Sequence, residues 1–178
     1  DYGTVIPWKQ SVLKKAYEVF FEGSLVSKDM KNDFYDFCSE AGFWLDDYAL
    51  FMSVKEAQNM KPLKDWDEIL HLPDSDTLEH IRTKYRDEIR LWKNIQFMFF
   101  TQWDNLKHYA NARNVEIIGD IPIYVSADSC DMWIHNELFI TDEDGNPSLV
   151  AGCPPDVYSP MGQLWGNPLN NWKKHTEG

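Results

Sequence analysis

Long apolar runs are missing from this sequence, and no stretch approaches the ~20 residues that a membrane-crossing helix needs. Basic runs are missing as well. Lys and Arg total 17 against 29 Asp and Glu, a formal net charge of −12. That balance argues against nucleic acid or an anionic membrane as the main partner, since both require basic surface. Cysteine is scarce and odd in number. Cys38, Cys130 and Cys153 lie far apart, with no C-x-x-C and no Cys/His cluster at zinc spacing. The expectation is free thiols in a reducing cytosol, hence a cytoplasmic protein. The five His residues form neither an H-E-x-x-H nor a pair, and each reads as surface or structural. Repeats and low-complexity tracts are absent. Asp1 is no natural start, and Trp172 opens what reads as a new element shortly before Gly178.

What is present is enough apolar material for one ordinary domain: 178 residues, 43% hydrophobic. Aromatic residues reach 15%, with eight Trp. Such rings fill cores or line sites for flat or ring-shaped ligands, and abundance alone favours the core.

The chain changes character near residue 114. Before it, the sequence predicts helices. Pro7 suits a first helical turn, Val12, Ala16, Val19 and Phe20 follow at helical spacing, and Gly23 is a stop signal. A second helix is predicted over residues 31–41, with Phe34, Phe37 and Cys38 on one face and Gly42 ending it. A third covers residues 44–58, and Pro62 and Pro73 bracket a loop containing Trp66. Leu78, Ile81, Tyr85, Ile89, Trp92, Phe99, Trp103, Leu106 and Ala110 then recur at spacings of three, four or seven. Neither Gly nor Pro interrupts residues 74–118. Unbroken over residues 77–113, this helix would run roughly 55 Å at ~1.5 Å per residue, although it could kink or split. Its stripe reads as core material.

After Asn114, Val115-Glu116-Ile117-Ile118-Gly119 reads as a short, largely buried strand. A helix leading into it predicts an αβ unit of a parallel sheet, with pairing weakened near Pro122. Asp142-Glu143-Asp144-Gly145-Asn146 lies between two apolar runs. Its Gly is misplaced for an EF-hand loop, and Asp-Gly signals a hairpin turn instead.

Half of all Gly and Pro, nine of eighteen, then fall between Gly145 and Pro168. Loops this long are uncommon inside domains and tend to be functional. Asp120, next to the apolar strand, is either a structural acceptor or a polar group at the mouth of a barrel. Asp156, after Pro154 and Pro155, suits a rigid turn or a fixed ligand contact. Tyr158 and Trp165 fit no periodic pattern. Trp165, set between glycines, either docks on the protein or meets a ligand. An aromatic ring with acids and amides such as Asn167 is chemistry suited to a carbohydrate cleft.

Four motifs occur in order: Gly119-Asp120-Ile121-Pro122-Ile123-Tyr124-Val125, Asp128-Ser129-Cys130-Asp131-Met132-Trp133, Ala151-Gly152-Cys153-Pro154-Pro155-Asp156, and Gly162-Gln163-Leu164-Trp165-Gly166-Asn167-Pro168. Together with Trp44-Leu45-Asp46-Asp47-Tyr48-Ala49-Leu50-Phe51 and Phe99-Phe100-Thr101-Gln102-Trp103, they make the sequence resemble the amylomaltase type of 4-α-glucanotransferase, in glycoside hydrolase family 77. The resemblance implies an α/β fold: an incomplete TIM-type (β/α)8 barrel, helix-rich, with residues 1–113 as a large helical insertion. Residues 114–178 would be a partial barrel with the loop that covers the active site.

By the same resemblance, Asp120, Asp156, Tyr158, Trp165 and Asn167 contact an α-1,4-glucan or maltooligosaccharide, and no metal or organic cofactor is implied. Met161 departs from the small or polar residue of the family's pattern. The family retains anomeric configuration through a carboxylate nucleophile and a second carboxyl group. Its Arg-x-Asp-His-Phe nucleophile motif does not occur here, so no residue of this chain is expected to be catalytic. The chain alone is expected to be inactive, and a partial barrel to self-associate through open edges. A rival expectation is a non-catalytic α-glucan-binding or regulatory module.

Overall fold

The computed structural model describes residues 1–23 and 26–177. It is helix-rich and divides into two compact units that interleave along the chain: residues 1–53 with 85–119, and residues 54–84 with 120–178. These units reflect packing inside this chain.

In the first unit, α1 (Tyr2–Glu22) starts earlier than Pro7 implied, because the Asp1 carboxylate accepts the Gly3 N–H at 3.0 Å. Pro7 therefore sits inside the helix. Its missing N–H leaves the Gly3 carbonyl without that bond. Gly23 ends the helix in extended conformation, its N–H donating to the Val19 carbonyl. Helix α2 (Lys28–Glu40) is capped by Ser27, whose hydroxyl accepts from the Met30 N–H at 3.1 Å. Gly42 does not end α2, which closes on Ala41; it opens α3 (Gly42–Ala57).

The apolar faces meet as expected. Phe20, Phe34 and Phe97 are buried, with Phe37 and Cys38 packed against them. Their ring centroids form a triangle with sides of 5.8, 5.7 and 6.0 Å, each pair edge to face. Such pairs contribute ~0.5–1.5 kcal/mol each beyond area burial. Burial pushes the Cys38 thiol pKa up, opposed by the nearby Lys93 ammonium.

The long periodic segment splits. Helix α4 (Glu68–His71) precedes α5 (Ser75–Lys84), and after Tyr85 the chain resumes as α6 (Arg86–Asn111). The break coincides with the border between the two units, so each helix follows its own core. The stripe expected as core is only partly so: Ile81 is buried, whereas Phe99, Trp103 and Leu106 are exposed. At the end of α6, Asn114 adopts φ +57°, the Asn114 N–H donates to Asn111, and the Val115 N–H donates to Ala110. This is a Schellman motif with Asn in the left-handed position. Asn59 (φ +55°) repeats the device at the end of α3, with the Met60 N–H reaching Lys55.

The parallel strand expected at residues 115–119 does not form. The segment belongs to no ladder, and Ile118 is 92% exposed. A parallel strand exists only between neighbours, and none lies beside it among the described residues.

The second unit holds the one sheet among the described residues, an antiparallel pair of β1 (Val150–Cys153) and β2 (Gln163–Pro168). Gly152 faces Leu164 and Cys153 faces Gln163, with an irregularity between Val150 and Gly152. The Asp142–Asn146 turn forms as expected. Thr141 bridges Pro147, Gly145 takes φ +79°, and Asp142 Oδ1 accepts the N–H groups of Asp144 and Asn146. The apolar run after it pairs with β2 instead of extending this turn into a longer hairpin. Around it, Trp66 and Trp133 are buried edge to face at 5.4 Å, and the Trp133 indole N–H donates to the Leu70 carbonyl at 2.7 Å. The loop expected around Trp66 thus contains one short 3₁₀ turn (Leu63–Asp65) and α4. Helix α7 (Cys130–Ile134) and α8 (Trp172–Glu177) complete the unit, the latter opening at Trp172 as expected.

Candidate functional site

The Gly- and Pro-rich stretch is the tip and arms of the β1–β2 hairpin, a local pairing that spacing alone did not reveal. Two glycines make its neck. At Gly152 a Cβ would stand 2.5 Å from the Gln163 carbonyl oxygen, and at Gly162 (φ +71°) one would stand 2.6 Å from that of Cys153. The arms therefore approach backbone to backbone, and only glycine allows it.

Above the neck, Pro154 and Pro155 lead into Asp156. Its Oδ1 accepts the N–H groups of Tyr158 (2.8 Å) and Ser159 (2.6 Å), while its own N–H donates to the Ser159 carbonyl. The Ser159 hydroxyl donates to the Gly162 carbonyl at 2.8 Å. Asp156, itself exposed, thus holds the turn, the plainer of its two sequence readings. On that rigid tip, Tyr158 is 92% exposed. So are Val157 and Met161, apolar side chains with no core to serve.

Along β2 the candidate side chains alternate with glycine and leucine. Gln163 and Trp165, two apart, meet side chain to side chain, and Asn167 follows Gly166, whose φ of +78° interrupts the strand. The Gln163 side-chain oxygen accepts the Trp165 indole N–H at 3.0 Å. Trp165 lies 6.2 Å, centroid to centroid, from the Tyr124 ring at a tilt of 54°. The Asn167 amide donates to the Val125 carbonyl at 2.9 Å. Trp165 and Asn167 are therefore brought against the segment that follows Asp120, while Asp156 and Tyr158 sit at the tip. Asp120 itself is exposed, not buried in a strand. Sequence reasoning passed over Tyr124 and the Val125 carbonyl. Both lay inside the first quoted motif, but nothing in their residue types marked them.

The second motif is architectural. Ser129 caps α7 by accepting the Met132 N–H, and Met132 and Trp133 are core residues. Asp128 pairs with the buried Lys55 ammonium through Oδ2 and accepts the Leu63 N–H through Oδ1 at 3.0 Å. That pairing neutralises a buried charge and closes a long-range contact. A concavity of about 400 Å³ opens beside it, lined in part by Pro62, His71, Asp128 and Asn146.

As chemistry, the hairpin offers one half-exposed indole, an exposed phenol, carboxylate oxygens and an amide. Groups of these types are suited to polyhydroxylated rings.

A family model described as 4-alpha-glucanotransferase, glycoside hydrolase family 77, matches residues 1–178. The 4-alpha-glucanotransferases of Clostridium butyricum and Thermus thermophilus are each 40% identical over 97% of this chain, covering 34% of their own lengths. The chloroplastic/amyloplastic 4-alpha-glucanotransferase of Arabidopsis thaliana is 34% identical over 97% of the chain and 30% of its own. The chain thus spans about a third of the length of the curated relatives it matches. Among solved structures, an amylomaltase from Streptococcus agalactiae in complex with acarbose superimposes with a TM-score of 0.89 at 39% identity. It covers 99% of this chain and 35% of that one. With every residue of its length matched, this chain belongs to the 4-alpha-glucanotransferase family, glycoside hydrolase family 77.

Proposed function

We propose that the chain is a central part of a 4-α-glucanotransferase that transfers α-1,4-glucan segments between maltooligosaccharides by retaining double displacement. The observation that carries this reading is the solvent-facing hairpin of residues 150–168, with Trp165 and Tyr158 exposed on a rigid neck, in a chain matched to that family throughout. Sugar C–H faces pack on such rings, and hydroxyls hydrogen-bond to carboxylate and amide oxygens. Asp120, Asp156, Tyr158, Trp165 and the Asn167 amide oxygen are the proposed glucan contacts. The amylomaltase neighbour, whose structure holds acarbose, supports a saccharide as ligand.

On this reading the fold is an incomplete TIM-type barrel with a large helical insertion, residues 1–113, followed by partial barrel, residues 114–178. The exposed Ile118, Ile121 and Ile123 support it, being apolar side chains left uncovered in and just after the expected strand. The protein works in the cytoplasm; no helix among the described residues is long and apolar enough to cross a membrane. Transfer through two carboxyl groups requires no metal or organic cofactor. A retaining enzyme places those groups ~5–5.5 Å apart, and this chain supplies neither.

Incubation with maltotriose, read as glucose and longer maltodextrins, should show no transfer by the chain alone. Any turnover removes the claim that the chemistry lies elsewhere. Maltoheptaose binding, followed calorimetrically, should weaken in Trp165→Ala; equal affinity would remove the hairpin from the glucan site. The exposed apolar surface should also drive association with rising concentration, and a monomer throughout sedimentation would refute that.

A further inference from the structure

Trp165 and Asn167 stand two residues apart on β2, and they meet two adjacent residues of the segment that follows Asp120. Trp165 meets the Tyr124 ring at 6.2 Å, and Asn167 meets the Val125 carbonyl at 2.9 Å. Between them Gly166 takes φ +78° with open space where a side chain would be. Asn167 is half-buried, and its bond to Val125 spans 42 residues of sequence. Beyond it, Pro168 is fully buried, and the Ile140 N–H holds the Leu169 carbonyl at 2.9 Å. The base of β2 is thus anchored, while its upper residues, Leu164 and Trp165, remain 82% and 50% exposed.

From this placement we infer that Tyr124 and Trp165 form one two-ring platform for a glucose ring, and that Asn167 is the positioning residue that builds it. The Asn167 N–H holds β2 on the Val125 carbonyl. That brings Trp165 against Tyr124, with the indole N–H turned aside to Gln163. The exposed faces of the two rings, tilted by 54°, make a shallow trough instead of a flat plate. A pyranose presents C–H groups on a puckered face and fits such a trough better than a planar aromatic ligand does. The carboxylate of Asp120, four residues before Tyr124, lies on the same segment to accept hydroxyls. The platform rests on the glucan reading above; the strut does not.

The test separates the two. The full 178-residue chain is labelled with 5-fluorotryptophan, and Trp165→Phe assigns the Trp165 resonance among the eight. Tyr124→Leu removes the ring current and should shift that resonance. Asn167→Asp, isosteric but unable to donate, and Asn167→Ala should shift it in the same direction, with Trp66 and Trp133 unmoved as evidence of intact folding. Asn167→Gln, which keeps the donor, should recover part of the shift. A Trp165 resonance indifferent to Asn167→Asp and Asn167→Ala overturns the strut. Maltoheptaose should perturb Trp165 in the wild type and bind Tyr124→Leu about 2- to 10-fold more weakly, as expected for loss of one aromatic contact. If the Asn167 variants shift Trp165 but maltoheptaose moves it in no variant, the strut stands and the glucan platform falls. If maltoheptaose binds wild type and Tyr124→Leu alike, the glucan reading survives and Tyr124 leaves the site.

Discussion

The first unit and the hairpin of the second use aromatic residues in opposite ways. Around Phe20, Phe34 and Phe97, rings meet rings edge to face and lose nearly all contact with water. On the hairpin, Tyr158 and Trp165 are held out into solvent by glycine and proline backbone geometry. The first arrangement gains stability from every ring; the second leaves apolar area unburied, which contributes nothing to folding. Residues that do not stabilise the fold and are nonetheless held rigidly are candidates for binding. The proposed glucan contacts therefore lie away from the most aromatic-rich part of the chain.

The largest effect that would break this contrast is in the core. Phe34→Ala should destabilise the first unit by ~3–5 kcal/mol, measured by urea denaturation. Tyr158→Ala, similar in area removed, should stay within ~0.5 kcal/mol of wild type. Equal losses at the two positions would mean that the exposed ring is structural after all.

The neck of the hairpin gives the next effect. Gly162→Ala combines a left-handed backbone with a Cβ 2.6 Å from the Cys153 carbonyl oxygen, and should cost ~1–3 kcal/mol. Gly166→Ala shares the positive φ but meets open space, and should cost only ~1 kcal/mol. Thermal melts of both variants would rank them, and the reverse order would deny the close approach of the arms.

A third test sharpens the picture of the first core. Asn94 is fully buried, yet among the described residues neither its amide nitrogen nor its oxygen has a partner, and the Trp92 indole N–H nearby in sequence has none either. An orphaned buried amide is costly, so Asn94→Leu should raise stability by ~1–2 kcal/mol. A loss in chemical denaturation would reveal an ordered water satisfying the amide.

The smallest effect is electrostatic. Asp74 caps α5 by accepting the Thr77 N–H at 2.8 Å, and hydrogen bonding to Thr77 holds its carboxyl pKa below the usual value. A carboxyl group lowered on folding adds stability above its unfolded pKa and loses it as pH falls through the folded one. Wild type should therefore lose slightly more stability than Asp74→Asn on acidification through that range; parallel pH profiles would remove the cap's contribution.

Much of the first unit was legible in the sequence, and the reason is local. Phe34, Phe37 and Cys38 recur at helical spacing, and a helix turns that spacing into a face with no help from distant residues. Helix ends were less legible, because Gly42 reads as a stop by type but opens α3 by context. Asn59 and Asn114, the residues that do end helices, carry a weaker signal than glycine. The split at Tyr85 was invisible: periodicity runs straight through it, and only the presence of two separate cores divides α5 from α6.

The site divides in the same way. Composition by itself marked residues 145–168 as unusual, the motifs marked the family, and Asp156 after two prolines was legible as a turn. What the tertiary structure alone decided is the pairing of β1 with β2, the meeting of Trp165 with Tyr124, and the bond from Asn167 to Val125. It also decided that Val115–Gly119, strand-like by residue type, forms no ladder in this chain. A helix is specified by neighbours three and four residues away. A strand, or a contact spanning 42 residues, depends on which distant segment is there to meet it.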